Sequence, residues 1–135
     1  MGKSQPRKKP LVAVVDDDES IRDTTKDLLD TAGLCAATFV SAEAFLNSSR
    51  TQAICCVIAD MRMPGMTGLA LHEHLVAAGT PIPTILITAF PEEPARERAF
   101  KAGVACYLTK PFAADELLGC ITRALKSGKS RPTGR

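Results

Sequence analysis

Four apolar runs of the sequence are each followed or ended by a side chain that can bind a metal ion or a phosphoryl group. Asp16–Glu19 follow one run, Asp60 follows another, Thr88 ends a third and Lys110 comes just after a fourth. Carboxylates that cluster repel one another, so they persist together only if a cation compensates their charge or if their pKa values rise. Oxygen ligands without a neighbouring histidine or thiol favour Mg²⁺, and Mn²⁺ could substitute for it.

Phosphoryl transfer is the chemistry that this set of groups favours. Lys110 offers a positive charge and Thr88 offers a hydroxyl donor, and both suit phosphoryl oxygens. A carboxylate can itself act as the nucleophile and form an aspartyl-phosphate. Each feature alone has a structural explanation, because acids before a helix favour its dipole and threonine favours strands. The coincidence of such groups at four run ends predicts phosphoryl transfer onto an aspartate.

Short apolar runs alternate with helical patterns along the chain, and this alternation brings the four run ends to one edge. Strands that are each followed by a helix predict parallel pairing, right-handed crossovers and a doubly wound α/β sheet covered on both faces. In such a sheet ligands bind at the carboxyl ends of the strands. The predicted strands are 11–15, 36–40, 54–59, 83–88 and 105–108, and the predicted helices begin at residues 21, 42, 69, 91 and 114. Ser20 and Asp23 resemble a capping box for the first helix.

The length of 135 residues predicts one domain, and the charge is distributed unevenly along it. The predicted domain is 10–127, between a basic disordered tail at 1–9 and a basic flexible tail at 128–135. Residues 1–10 and 126–135 together carry a net charge of +8, whereas residues 11–125 carry −6. An acidic body argues against direct DNA binding by this domain. No run is long enough to span a membrane or to act as a secretory signal, so a cytoplasmic location is expected.

The cysteines and histidines look unremarkable by their spacing. The five cysteines include no C-x-x-C pair, so buried reduced thiols are expected rather than a disulfide framework or a zinc site. His72 and His74 lie two positions apart on a predicted helix and cannot share a face. Both histidines are therefore expected at the surface.

The segments that end the strands resemble those of a bacterial two-component response regulator receiver domain over about residues 10–127. The resemblance depends on four segments: Val14–Asp18, Asp60–Gly68, Leu86–Ala89 and Gly103–Phe112. It implies a flavodoxin-like fold with five parallel strands in the order 2-1-3-4-5 and five helices. Details around Arg62 and in the segment 82–88 look closest to receivers of regulators with LuxR-type DNA-binding outputs.

The resemblance assigns roles at the acidic end of the site. It implies that Asp60 accepts a phosphoryl group from a sensor histidine kinase or a phosphotransfer protein. It also implies that Asp17, Asp60 and the backbone carbonyl of Arg62 ligate Mg²⁺, with Asp16 acting through bound water. The protein would then be no enzyme toward other substrates, since it would catalyse only its own phosphotransfer and autodephosphorylation.

The resemblance assigns further roles to the basic and hydroxyl groups. Thr88 would donate a hydrogen bond to the arriving phosphoryl group and Lys110 would pair with it. Tyr107 occupies the aromatic switch position, and the family commonly has a cis bond before a proline such as Pro111. Arg62 and Phe90 flank the site where other members carry smaller or acidic residues, so they are expected to lengthen the lifetime of the phosphoryl group.

The expected output is a change in the surface formed by the fourth helix, the fifth strand and the fifth helix. The fourth predicted helix has only Ala95, Ala99 and Ala102 on its apolar stripe, which predicts weak anchoring that phosphorylation could shift. The readout would be a downstream protein target, a DNA-binding output domain missing from this chain, or a homodimer formed on phosphorylation.

Two alternatives remain open from the sequence. One is a haloacid-dehalogenase-type phosphatase, in which Asp16 would be the nucleophile of a D-x-D motif. That interpretation gives no reason for Asp60 and lacks a late acidic pair at a strand end. The other is a receiver-like interaction module that is never phosphorylated, which the complete set of site residues disfavours.

Overall fold

The computed structural model describes residues 9–130, with side chains up to residue 126. The predicted tail 1–9 lies outside the described residues except for Lys9, and so do residues 131–135 of the other predicted tail. The strands are β1 (Leu11–Val15), β2 (Cys35–Phe39), β3 (Ile54–Asp60), β4 (Thr84–Thr88) and β5 (Cys106–Thr109). The helices are α1 (Glu19–Thr31), α2 (Ala42–Leu46), α3 (Gly68–Ala77), α4 (Glu93–Lys101) and α5 (Ala114–Ser130), with a 3-10 turn at Thr51–Ala53.

The five strands form one parallel sheet in the order β2-β1-β3-β4-β5, which confirms the predicted fold. Successive strand residues point to opposite faces, so two apolar clusters form. One cluster contains Phe45 of α2, Leu71 of α3 and Ala99 of α4. The other contains Leu29 of α1 and Ile121 of α5. Both faces of the sheet are therefore buried, as near-continuous apolar strands require.

The start of α1 and the end of α5 are two places where the helices differ from the predicted ones. Helix α1 is capped by Asp18 rather than by Ser20, because Asp18 Oδ1 accepts hydrogen bonds from the N–H groups of Ser20 (2.8 Å) and Ile21 (3.3 Å). Helix α5 continues through Ser130, three residues into the predicted flexible tail. Gly128 within it costs only about 1 kcal/mol relative to alanine, which a well-packed helix tolerates.

The expectation that all cysteines are buried reduced thiols is wrong. Cys35 and Cys55 are exposed and unpaired, whereas Cys56 is a buried free thiol. Cys106 and Cys120 form a disulfide, with their Cα atoms 6.1 Å apart. The pairing joins β5 to α5, and linear spacing could not reveal it because the two residues meet only when the helix folds back onto the sheet.

The expectation that His72 lies at the surface is also wrong, although His74 is exposed. His72 lies on α3 and is buried against β4 and the end of α4. Its Nδ1 lies 2.9 Å from Thr84 Oγ1 and its Nε2 lies 2.8 Å from the backbone oxygen of Ala102. Both ring nitrogens have partners, which is what allows a polar ring to be buried at acceptable cost.

No helix within the described range 9–130 combines the length and the apolar character needed to cross a lipid bilayer.

Candidate phosphoryl-acceptor site

Four parallel strands bring the predicted site residues to one edge of the sheet. Asp16 follows β1, Asp60 is the last residue of β3, Thr88 is the last residue of β4, and Lys110 follows β5 directly. Asp16 and Thr88 are almost fully buried, with 3% and 1% of their surfaces exposed. The groups named from sequence spacing are thus gathered at the carboxyl ends of the central strands, where α/β sheets bind ligands.

The loop between β1 and α1 is held by its own hydrogen bonds. Asp16 Oδ1 accepts the N–H of Asp18 at 2.9 Å. Arg22, one turn into α1, donates from Nη1 to the backbone oxygen of Asp16 at 2.6 Å. These contacts orient the buried Asp16 and leave the Asp17 side chain exposed at the rim. Arg22 was not recognised from the sequence, although an arginine on the first turn of a helix that follows an acidic loop is a usable signal.

The Asp60 carboxylate contacts both its own loop and Lys110. Its Oδ1 accepts the N–H of Arg62 at 3.0 Å, and its Oδ2 accepts a hydrogen bond from Lys110 Nζ at 3.0 Å. Lys110 Nζ also lies 3.4 Å from Asp16 Oδ2. One ammonium group therefore bridges two carboxylates in a site with little solvent, where a charged pair interacts more strongly than at the surface.

The three carboxylates Asp16, Asp17 and Asp60 can each offer an oxygen within 4.8 Å of the others. Their combined charge exceeds that of the single ammonium group of Lys110. An all-oxygen acidic cluster of this size is compatible with a hard divalent cation. The donor set thus fits a divalent metal ion, as the sequence predicted.

Burial and the crowding of charged groups shift the pKa values of Asp16 and Lys110. Burial raises the pKa of Asp16, against the hydrogen bond from the Asp18 N–H, and the nearby charge of Asp60 raises it further. Burial would lower the pKa of Lys110, but the hydrogen bond to Asp60 and the charges of Asp16 and Asp60 outweigh it, so the pKa of Lys110 is raised. A carboxyl group whose pKa is raised in the folded state contributes stability that is present below its pKa in the unfolded chain. That stability is lost as the pH rises through its pKa in the folded state. Ionisation of Asp16 is therefore a cost that a bound cation would relieve.

Thr88 has a hydroxyl group that is already oriented. Its Oγ1 accepts the N–H of Phe90 at 3.0 Å, and this contact leaves the hydroxyl proton available to donate. Burial of this side chain keeps competing water away from the donor. Thr88 can therefore donate to an oxygen that arrives at the rim.

Arg62 and Phe90 pack against each other beside the site. The guanidinium carbon of Arg62 lies 4.8 Å from the centre of the Phe90 ring, and Arg62 Nη2 lies 3.7 Å from Glu92 Oε2. Phe90 remains 61% exposed. The sequence singled out the arginine and the phenylalanine but missed Glu92, the residue that precedes α4, which pairs with the guanidinium group.

Tyr107 is half-buried on the α4 side of the sheet, and its hydroxyl group is buried without a hydrogen-bond partner among the described residues. A buried unpaired hydroxyl costs about 1–3 kcal/mol, so a rearrangement that gave it a partner would recover that free energy. The peptide bond Lys110–Pro111 is cis, as the resemblance implied.

One close approach of the backbone and one hydrogen bond position the loop that leads from β3 to α3. A Cβ atom on Gly68 would lie 2.6 Å from the backbone oxygen of Asp60, so only glycine lets α3 start this close to the acceptor strand. Glu43 of α2 accepts the N–H of Met66 at 3.1 Å. Glu43 was missed from the sequence because it lies 23 residues from its partner.

Known proteins resemble this chain in sequence and in structure. The response regulator receiver domain family matches residues 12–122. The chain is 39% identical to the response regulator protein TodT of Pseudomonas putida over 86% of its own length and 51% of that protein. It is 35% identical to the transcriptional regulatory protein FixJ of Bradyrhizobium diazoefficiens over 87% of its own length and 58% of that protein.

Solved structures agree with these relatives. The response regulator StyR superimposes with a TM-score of 0.84 at 43% identity, over 92% of this chain and 63% of StyR. FixJ-N superimposes with a TM-score of 0.79 at 31% identity, over 89% of this chain and 96% of FixJ-N. The chain spans little more than half the length of the curated relatives it matches. Its fold, its acidic edge and these similarities establish that the chain belongs to the response regulator receiver domain family of two-component systems.

Proposed function

We propose that Asp60 accepts a phosphoryl group from a phosphohistidine of a sensor kinase or a phosphotransfer protein. The observation that carries the proposal is the contact of Asp60 with Lys110 beside two further carboxylates. In the transfer, a carboxylate oxygen of Asp60 forms a bond to phosphorus while the phosphorus–nitrogen bond to the histidine breaks. Lys110 and Thr88 then neutralise and hydrogen-bond the phosphoryl oxygens, which is the main contribution that a protein makes to such a reaction.

The metal in this proposal is Mg²⁺, with Mn²⁺ as a substitute, held by Asp17, Asp60 and the backbone carbonyl of Arg62, with Asp16 acting through water. Bound Mg²⁺ would offset the charge of the carboxylates and of the phosphoryl oxygens. Binding to the folded state alone should raise the free energy of unfolding by about 2.7 kcal/mol at a hundred times the Kd. Asp17→Asn should lose most of this gain in a denaturation assay, while the matched Asp18→Asn, which keeps a good N-cap, should retain it.

Labelling tests the acceptor directly. Phosphoramidate with Mg²⁺ should add one phosphoryl group to the wild-type chain and to Asp18→Asn, and none to Asp60→Asn. Mapping of the modified peptide to Asp16 would instead revive the phosphatase alternative, which the family assignment disfavours. A folded wild-type chain that takes no label from phosphoramidate or from any histidine donor would favour the unphosphorylated interaction module.

The wider role of the chain is also part of the proposal. It has no activity on other substrates beyond its own phosphotransfer and autodephosphorylation, and it operates in the cytoplasm, where ATP supplies its donors. The relatives are about twice as long, and one is named a transcriptional regulatory protein. Their length supports an output through a DNA-binding domain of a longer protein, while a downstream protein target and a homodimer formed on phosphorylation remain the other proposed outputs.

The lifetime of the phosphoryl group should be long because Arg62 and Phe90 obstruct the water that hydrolyses it. The backbone N–H of Arg62 contacts Asp60, the backbone N–H of Phe90 contacts Thr88, and the two side chains stack on each other. Neither side chain can act as a base. Displacement of an attacking water can cost on the order of a hundredfold in rate. We expect phospho-Asp60 to last for minutes or longer in the wild-type chain.

The double variant Arg62→Asn with Phe90→Glu should speed decay of phospho-Asp60 by roughly tenfold to a hundredfold. The matched control is Arg96→Asn with Phe100→Glu, because these residues form the same kind of stacked pair on α4, with the guanidinium carbon 5.0 Å from the ring centre. Decay that is equally fast in both double variants would show that Arg62 and Phe90 do not set the lifetime.

A further inference from the structure

A second group of reactive side chains lies on the α1/α5 face of the sheet, away from the acidic edge. Cys106 is the first residue of β5 and Cys120 lies on α5, and the structure joins them in a disulfide. Both are buried, with 5% and 3% of their surfaces exposed, in the cluster that holds Leu117 and Ile121. The bond therefore ties α5 to β5, two of the three elements of the expected output surface.

Arg123 lies against both sulfur atoms. Its Nη2 is 3.2 Å from Cys106 Sγ and 3.5 Å from Cys120 Sγ. Arg123 itself is exposed, so its guanidinium group covers the sulfurs on the solvent side of the helix. An arginine stays protonated, and an adjacent cation favours the thiolate form of a cysteine, which is the nucleophile in thiol chemistry. A purely structural disulfide has no need of this cation.

Cys56 shows what a cysteine in the same cluster does without such a neighbour. It lies on β3 among the same apolar side chains and is a free thiol. Burial raises the pKa of Cys56 to about 12, so it stays protonated and inert. The cation and the second sulfur distinguish the Cys106–Cys120 pair from this buried thiol.

We propose that Cys106 and Cys120 form a reversible thiol–disulfide couple, oxidised by a hydroperoxide and reduced by a dithiol, which fixes α5 against β5 when oxidised. One thiolate attacks the peroxide oxygen, the O–O bond breaks, and a sulfenic acid forms while the leaving alkoxide or hydroxide takes a proton from solvent. The second thiolate attacks that sulfur, the S–O bond breaks, and the leaving hydroxide takes a proton from solvent to become water. A dithiol reverses the reaction by exchange and becomes a disulfide itself.

The oxidised couple closes a loop of the chain between positions 106 and 120, which restricts the unfolded state. The melting temperature should therefore be roughly 10 °C higher for the oxidised than for the reduced chain. Residues of α5 should also exchange their amide hydrogens more slowly when the couple is oxidised. Both effects arise without phosphorylation, so the couple is an input separate from Asp60.

The experiment uses the full chain with Cys35→Ser and Cys55→Ser, which removes the exposed thiols. The chain is reduced with dithiothreitol, desalted and exposed to hydrogen peroxide at neutral pH, and the remaining thiols are alkylated and mapped by mass spectrometry. The expected result is loss of two hydrogens across Cys106 and Cys120, full recovery with dithiothreitol, and a Cys56 that never enters a disulfide. Independent alkylation of Cys106 and Cys120 after peroxide treatment, or overoxidation without a crosslink, would overturn the couple.

Arg123→Gln tests the role of the cation, with Lys126→Gln as the matched control, because Lys126 is an exposed cation on the same helix and, within the described residues, forms no hydrogen bond with the sulfurs. Loss of the Arg123 charge should slow crosslinking by about threefold to tenfold, since the thiolate fraction falls while each remaining thiolate becomes more nucleophilic. Lys126→Gln should change the rate less than twofold. Equal rates in the two variants would overturn the role given to Arg123.

Discussion

The two helices on either side of β5 are attached to the sheet in different ways. Helix α5 buries four apolar side chains, Leu117, Cys120, Ile121 and Ala124, each with no more than 3% of its surface exposed. Helix α4 buries only Ala95 and Ala99. A fully buried leucine or isoleucine contributes about 1.5–3 kcal/mol, whereas an alanine methyl group contributes less than about 1 kcal/mol. Helices at the same edge of one sheet can thus be anchored with very different strength.

Helix α4 also makes polar contacts near its two ends. Near its start, Glu92 pairs with Arg62 beside the acceptor site. Near its end, His72 of α3 contacts the backbone oxygen of Ala102. Because polar contacts can exchange partners at lower cost than a packed apolar face, we expect α4 to be the element that phosphorylation of Asp60 would move most easily. Within the predicted output surface, α5 is thus attached by apolar packing, whereas α4 has few buried side chains and polar contacts near its ends.

The largest effect should come from loss of the α5 anchor. Ile121→Ala should lower the free energy of unfolding by about 2–5 kcal/mol, because it removes a fully buried side chain and leaves a cavity. Ala99→Gly in α4 should cost only about 1–2 kcal/mol, through helix propensity and one lost methyl group. Urea denaturation of both variants measures the difference. Equal losses would show that α4 is anchored as firmly as α5.

Loss of the His72 contact near the end of α4 should lower the free energy of unfolding by less than loss of the α5 anchor. Its effect should be local to α4. His72→Leu leaves the backbone oxygen of Ala102 without its donor and should cost about 1–3 kcal/mol. Amide exchange at the end of α4 should accelerate, while exchange in α5 should not. His74→Leu is the control, since His74 is exposed on the same helix and should change stability by less than about 0.5 kcal/mol. If amide exchange in α4 is unchanged in His72→Leu, this histidine does not help to attach α4.

Activation should increase the difference in amide protection between α4 and α5. Beryllofluoride with Mg²⁺, used as a mimic of the phosphoryl group, should change amide protection in residues 90–110 by more than in the buried face of α5. The physical reason is that Thr88, Phe90 and Glu92 link the acceptor edge to the start of α4. Hydrogen exchange read by mass spectrometry gives both regions in one experiment. Identical protection in 90–110 with and without beryllofluoride would contradict a movable α4.

Exposed side chains on the two helices should contribute the least to the free energy of unfolding. Arg96 stacks on Phe100 along α4, and such an exposed pair contributes about 0.5–1 kcal/mol. Arg96→Gln should therefore lower the free energy of unfolding by no more than that, and Lys126→Gln on α5 should stay within about 0.5 kcal/mol. A larger loss for Arg96→Gln would mean that α4 is held by its outer face rather than by its ends.

The sequence predicted the sheet and the position of the acidic edge well because both depend on local signals. Apolar runs and glycine or proline positions mark the strands, and β3 needed only one added residue, Asp60, at its end. Once the strands are parallel, their carboxyl ends must meet, so Asp16, Asp60, Thr88 and Lys110 converge whatever the detailed packing. The LuxR-type likeness, the roles of the site residues and the tails stay predictions.

The contacts that the sequence could not predict join residues far apart in the chain. His72 meets a carbonyl 30 residues away, Arg123 meets a sulfur 17 residues away, and Glu43 meets a loop 23 residues away. By itself the sequence determined the order of strands and helices and the chemistry at the strand ends, because periodicity and residue type act within a few positions. Only the tertiary structure decided that one histidine is buried, that two cysteines meet under an arginine and that α4 has polar contacts near its ends. Those outcomes depend on how helices pack against the sheet, and side-chain partners across that packing are set by distance in space rather than along the chain.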